Sequence, residues 1–84
     1  MEKKVVEFTS HAMDKLGRLS ELGVTVEKVV EIVRNPDRVF SGYFGRRVAE
    51  SSISRRLVLR VVYEEKDNRV LVVTLYPCKR GRYS

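Results

Sequence analysis

The sequence predicts an α+β domain in which an N-terminal strand and two helices precede a four-strand antiparallel meander. Apolar residues recur at helical spacing between residues 10 and 34, and the period changes to two after Asn35-Pro36. The chain of 84 residues contains no linker, repeat or low-complexity segment. We therefore expect residues 1–84 to form a single domain with one modest core and both helices on one face of the sheet.

The first strand and the two helices are predicted by short local signals. The opening strand is indicated by the apolar residues Val5, Val6 and Phe8. Thr9 or Ser10 supplies a hydroxyl that can cap the first helix. The apolar stripe of that helix consists of Ala12, Met13, Leu16 and Leu19. Thr25 is the expected cap of the second helix, which Asn35-Pro36 ends because the residue before a proline is disfavoured in helical backbone.

Alternation of side chains predicts the later strands and assigns their faces. The face expected against the helices carries Leu57, Leu59, Val61 and Tyr63. Arg56 and Arg60 alternate with that set, so we expect them on the open face together with Arg47. Residues 69–76 form the most apolar strand, which is predicted to be central and to end at Pro77.

The composition argues against several classes of function. One cysteine, Cys78, allows no internal disulfide, and one histidine with one cysteine cannot supply a structural zinc site of nitrogen and sulfur ligands. The acidic residues are scattered, and no glycine-rich phosphate loop is present, so we expect neither a metal nor a cofactor. No apolar run approaches the length of a membrane span or a signal peptide, which predicts a cytoplasmic protein.

The net charge of +6 arises entirely from residues 43–84, where ten Lys or Arg residues face four Asp or Glu residues. All four tyrosines lie in the same half. Arginine forms forked contacts with phosphate, so a strand-rich surface of arginine and tyrosine indicates an RNA partner. The predicted nucleic-acid contacts are Arg47, Arg56, Lys79 and Arg82. Taken singly, each of these is better explained as an ordinary solvated residue on an exposed sheet face.

Four side chains are candidates for chemistry at a phosphate. Arg60 lies in the middle of a strand between Leu59 and Val61, where a charged side chain is least expected for structural reasons. His11 is the one histidine, the residue type suited to acid–base chemistry near neutrality, although a histidine at a helix start often only bonds a neighbouring strand. Arg80 and Tyr83 lie in the basic tail, where they would hold a phosphate or stack on a base.

Several short segments together resemble a widespread prokaryotic family of small uncharacterised domains. The resemblance rests mainly on the opening Ser10-His11-Ala12 and the ending Val73-Thr74-Leu75-Tyr76-Pro77, and it covers nearly the whole chain in order. Weaker matches lie at 23–25, 35–36 and 61–63. The family is similar in fold to the RelE and ParE toxins and to the BrnT group, which pair two helices with an antiparallel sheet.

The resemblance implies a RelE-like fold and metal-independent cleavage of messenger RNA. In such toxins arginines and lysines hold the scissile phosphate while a basic or tyrosyl group helps the ribose 2′-hydroxyl attack. Arg60 would then contact phosphate, Arg80 and Tyr83 would match the basic and aromatic tail, and His11 has no counterpart. The implied partners are RNA or the ribosome and an acidic antitoxin. The alternative is a non-enzymatic protein-interaction module that uses a basic docking surface.

Overall fold

The computed structural model describes residues 4–79, and within them two helices pack against one mixed sheet. The strands are β1 (Val5–Phe8), β2 (Arg38–Ser41), β3 (Arg47–Ser52), β4 (Leu57–Lys66) and β5 (Arg69–Lys79), and the helices are α1 (Ser10–Arg18) and α2 (Val26–Arg34). Short 3₁₀ turns occupy Ser20–Leu22 and Tyr43–Gly45. The α+β class with two helices is confirmed.

Both helices begin at the predicted threonine caps. Thr9 Oγ1 accepts from the backbone N–H of Ala12 at 3.0 Å and also donates to the carbonyl oxygen of Val73 at 3.0 Å. Thr25 Oγ1 accepts from the N–H of Lys28 at 3.1 Å. The bond from Ala12 to Thr9 satisfies a free amide of α1, and the bond from Thr9 to Val73 ties α1 to β5. These caps set both the start of each helix and its approach to the sheet.

The sheet has the strand order β1-β5-β4-β3-β2. Strands β2 to β5 form three antiparallel pairs of consecutive strands, β2–β3, β3–β4 and β4–β5, whereas β1 pairs parallel with β5 from Val5↔Arg69 to Phe8↔Val72. The parallel pair was not predicted, because strand direction depends on where the two intervening helices return the chain. The result is a mixed sheet with β1 and β2 at its edges.

The core lies between the helices and one face of the sheet. It contains Ala12, Leu16, Val24, Val29, Ile32, Ala49, Leu59, Val61, Tyr63, Val70, Val72 and Leu75. The predicted face of β4 is therefore confirmed at Leu59, Val61 and Tyr63. The predicted stripe of α1 was wrong at Met13, which is 46% exposed, because the face turned to the core runs through Ala12, Leu16 and Leu19.

Strand β5 differs from the prediction at two places. The register shifts so that Val62 pairs with Thr74 and Tyr63 with Val72, which leaves one extra residue in β5. Buried side chains therefore fall at Val70 and Val72 before the shift and at Leu75 after it. Pro77 was expected to end the strand, but β5 continues to Lys79. Beyond Val72 the described part of β1 no longer pairs with β5, so a residue without an N–H is accommodated along that side of the strand.

Candidate phosphate site on the open sheet face and its basic end

The open face of the sheet carries a row of polar side chains that crosses four strands. Register pairs Arg38 with Glu50, Glu50 with Arg60, and Arg60 with Tyr76. Arg60 thus lies on the face opposite the helices, as alternation predicts. The row continues from β2 to β5 at one level of the sheet, so its side chains are direct cross-strand neighbours.

Glu50 accounts for the charged residue in the middle of β4. The carboxylate of Glu50 is 10% exposed and accepts from Arg60 Nε at 2.8 Å, while Arg38 Nε lies 3.9 Å from its second oxygen. A carboxylate this buried requires a cationic partner. Arg60 therefore has a structural role that the sequence analysis did not anticipate.

Arg60 nevertheless retains hydrogen-bonding capacity toward solvent. Its side chain is 33% exposed, and its guanidinium carbon lies 5.2 Å from the centre of the Phe40 ring. The pKa of Arg60 is raised, first by the hydrogen bond to Glu50 and then by the hydroxyl of Tyr76. Because Nε is committed to Glu50, a contact between Arg60 and an anion would be made by the terminal nitrogens.

His11, in the first turn of α1, contacts β5 at a position next to Tyr76 on the same face of that strand. Its Nε2 is 3.2 Å from the Oγ1 of Thr74, which pairs with Val62 on the open face. Thr74 and Tyr76 are two residues apart in β5, a separation of about 7 Å along the strand. The bond to β5 matches the structural alternative for His11.

A separate cluster of cations lies where β4 begins and β5 ends. Leu57 pairs with Lys79, and a shallow depression there is lined by Ser54, Arg55, Arg56, Leu57 and Lys79. The hydroxyl of Ser54 accepts from the N–H groups of Arg56 and Leu57 at 3.3 and 3.1 Å, which holds the turn. None of the three cations forms an ion pair with a carboxylate of residues 4–79.

The structure therefore distributes the predicted residues over different places. Arg56 and Lys79 come together at the basic end, and Arg60 lies three residues along β4 from Leu57, about 10 Å away. The placement of Arg47 on the open face was wrong. It pairs with Tyr63 and alternates with Val48, so it lies on the helix side at the other end of β3. Arg80, Arg82 and Tyr83 lie outside the described residues.

Sequence reasoning missed Glu50, Tyr76 and Arg55 as members of these sites. Arg55 was recognisable from its place beside Arg56 in the turn before β4. Glu50 and Tyr76 required the register of three strands, which no local pattern contains. Within residues 4–79, no three His, Cys, Asp or Glu side chains lie together as a metal site would require. Neither described helix is long and apolar enough to cross a membrane.

Comparison with known proteins supports the fold and goes no further. No protein-family model matches the chain, and no curated protein matches it. Among solved structures it is similar to the solution structure of the conserved hypothetical protein HP0894 from Helicobacter pylori. The TM-score is 0.50 at 14% identity, and the match covers 88% of this chain and 93% of that one. This likeness extends over nearly the whole of both chains.

Proposed function

We propose that this protein is a RelE-like domain that binds RNA and cleaves it without a metal ion. The observation that carries the proposal is the convergence of Arg55, Arg56 and Lys79 at one end of the sheet. Cations that repel one another and lack carboxylate partners gain most from an anionic ligand. Phosphate satisfies three such groups at once, and a polyanionic strand supplies successive phosphates.

Arg60 on the open sheet face supports a cleavage step about 10 Å along β4 from the basic end, where Lys79 pairs with Leu57 and so extends from the helix-side face of the sheet. In this reaction the ribose 2′-oxygen attacks phosphorus, the bond to the 5′-oxygen breaks, and a 2′,3′-cyclic phosphate and a 5′-hydroxyl result. Arg60 would stabilise the charge that develops on the phosphoryl oxygens through its terminal nitrogens. His11 would take the proton of the 2′-hydroxyl, and the leaving oxygen would take a proton from solvent.

The family resemblance adds roles for Arg60, Arg80 and Tyr83, and it gives no role for His11. It implies phosphate contacts for Arg60 and Arg80 and an aromatic or acid–base role for Tyr83. It also implies an acidic antitoxin, which fits a chain with a net charge of +6. The proposed partners are accordingly RNA or the ribosome and an acidic protein segment that covers the basic surface.

The second candidate is a non-enzymatic module that docks a protein partner. It is favoured by the pairing of Arg60 with Glu50, which gives that arginine a purpose without any reaction. Under this hypothesis the basic end would steer an acidic partner to the surface and contribute little to chemistry. The two candidates differ in whether RNA is cut and in how binding responds to salt.

The test is cleavage of a defined messenger RNA in EDTA, with and without ribosomes. The variants are Arg60→Lys, which keeps a cation beside Glu50, and Arg56→Ala combined with Lys79→Ala. Arg18→Ala is the matched control, because it removes one exposed cation from a helix on the other side of the sheet. Cleavage with cyclic phosphate ends that Arg60→Lys reduces and Arg18→Ala retains supports the ribonuclease.

RNA affinity measured against salt concentration separates the candidates further. Each phosphate contact of a single strand contributes about 0.7 to the slope of log affinity against log salt. The variant Arg56→Ala/Lys79→Ala should therefore lower the slope by about 1.4, and Arg18→Ala should leave it unchanged. Absence of both cleavage and salt-dependent RNA binding would leave the docking module as the better account.

A further inference from the structure

The hairpin that joins β2 to β3 ends in a short and well-defined tip. The N–H of Gly42 donates to the carbonyl oxygen of Arg46 at 2.8 Å, and the N–H of Arg46 donates to that of Tyr43 at 3.1 Å. Phe44 has φ 59° and ψ 38°, and Gly45 has φ 74°. Left-handed backbone is natural for glycine but costs about 1–2 kcal/mol for a residue with a Cβ. The tip therefore holds a phenylalanine in a conformation that disfavours it.

Both side chains at this tip are almost fully exposed. Tyr43 is 87% exposed and Phe44 is 90% exposed, more than any other large apolar residue of the described chain. Their ring centres are 6.5 Å apart and the rings are inclined at 51°, so neither ring covers the face of the other. The fold gains no burial from these rings and accepts strained backbone at Phe44, which points to a role outside the folded chain.

The charges around the tip indicate the chemistry of the ligand. Arg46 and Arg47 follow the tip directly, and Arg47 is exposed without a carboxylate partner among residues 4–79. Glu64 is bound to Arg46 at 2.9 Å and is neutralised by it. Open aromatic faces beside a cation suit bases that are joined by phosphates. A base inside a duplex exposes no face, so the match is with a single strand.

We infer that Tyr43 and Phe44 form a stacking platform for unpaired bases of an RNA strand. This inference rests on the proposed RNA binding and adds a second point of contact. Arg47 neutralises a phosphate next to the stacked bases. The platform lies at the end of β3 where Arg47 begins the strand, and the basic end lies beyond Ser52, about 17 Å away at the rise of an extended strand. An RNA strand of a few nucleotides spans the two.

Substitutions at the tip remove the rings and preserve the hairpin. Phe44→Asn keeps the left-handed backbone, which asparagine tolerates. Tyr43→Ser removes the second ring at a position where the backbone carbonyl, not the side chain, closes the loop. Leu22→Ser is the matched control, because Leu22 is 44% exposed and lies between the two helices. Phe44→Trp keeps an aromatic ring at the tip and should therefore keep stacking.

The experiment measures binding of short single-stranded RNA that carries 2-aminopurine, whose emission is quenched when it stacks. Tyr43→Ser and Phe44→Asn should each weaken affinity about 5- to 150-fold and abolish the quenching, with an unchanged salt slope. Leu22→Ser and Phe44→Trp should bind as the native chain does. A blunt-ended duplex of the same sequence should show no effect of the tip substitutions.

The results distinguish failure of this inference from failure of the proposed function. Salt-dependent RNA binding that both tip variants retain, with quenching intact, would overturn the stacking platform and leave RNA binding in place. No RNA binding by the native chain would overturn both. Two separate contacts are supported if Arg56→Ala/Lys79→Ala loses affinity with a lower salt slope and the tip variants lose affinity with an unchanged salt slope.

Discussion

Replacing Arg60 by alanine should destabilise the fold, because it leaves Glu50 buried without its main partner. The Glu50 side chain is 10% exposed, whereas Arg60 is 33% exposed. Removal of the arginine strands a carboxylate that water reaches poorly. Removal of the glutamate leaves an arginine that solvent can reach. The two single substitutions should therefore differ in cost, with Arg60→Ala the more damaging.

The geometry sets the size of the effect. At the 2.8 Å separation of Arg60 Nε and Glu50 Oε1, an effective dielectric constant of about 20 gives about 6 kcal/mol of attraction. Solvent screens the exposed part of Arg60, and Arg38, 3.9 Å from Glu50, retains part of the compensation. We expect Arg60→Ala to lower the free energy of unfolding by about 2–3 kcal/mol, below the cost of breaking a fully buried pair.

Thermal and urea unfolding followed by circular dichroism measure this loss. For a domain of this size, a loss of 2–3 kcal/mol should lower Tm by about 10–20 °C. Glu50→Ala should cost about 1 kcal/mol, and the double variant should show a coupling energy of about 1–3 kcal/mol. Arg18→Ala is the control, because the Asp14–Arg18 pair is 3.2 Å long but exposed on both sides and should contribute less than about 0.5 kcal/mol.

Two outcomes would refute this reasoning. One is a loss for Arg60→Ala that is no larger than the loss for Arg18→Ala. The other is strict additivity of Glu50→Ala and Arg60→Ala in the double variant, which would mean that the two groups do not interact in the native state. If the coupling is confirmed, the folded fraction of Arg60→Ala must be measured before any loss of RNA cleavage in that variant is assigned to the reaction.

Two further predictions concern the framework that positions the site. Leu59→Ala should lower the free energy of unfolding by about 2–5 kcal/mol in urea titrations, because Leu59 is fully buried. Val58→Ala, on the open face of the same strand, should cost clearly less. Equal losses would contradict the assignment of the core to the helix side. Thr9→Ala should lower the free energy of unfolding by about 1–2 kcal/mol and increase amide hydrogen exchange in the first turn of α1, since both the cap to Ala12 and the bond to Val73 disappear. Unchanged exchange there would show that Thr9 is not the cap.

The sequence predicted the parts of the fold that depend on near neighbours. Thr9, Thr25 and Asn35 identify the ends of the helices, because a cap or a proline acts on backbone within a few residues. The alternation of Leu59, Val61 and Tyr63 identified the buried face of β4 for the same reason. The extension of β5 past Pro77 was not predictable locally, because it depends on where β1 stops pairing.

The candidate site was predictable only in part. Arg56 and Lys79 were identified as phosphate ligands from residue type, and the structure brings them together through the Leu57↔Lys79 pair. Arg60 was identified from its unusual position, but the reason for that position is Glu50. Arg47 was placed on the wrong face, because the alternation within β4 does not determine which residues of β3 lie on the same face; the register between the two strands determines that.

The element order, the helix ends, the buried face of β4 and the concentration of positive charge in the second half of the chain could all be predicted from the sequence. These features are encoded within a turn or a strand, where each residue acts on backbone close to it. Tertiary structure alone decided the parallel pairing of β1, the Arg38–Glu50–Arg60–Tyr76 row and the convergence of Arg55, Arg56 and Lys79. Those depend on register between strands distant in sequence, which the packing of all the elements sets together.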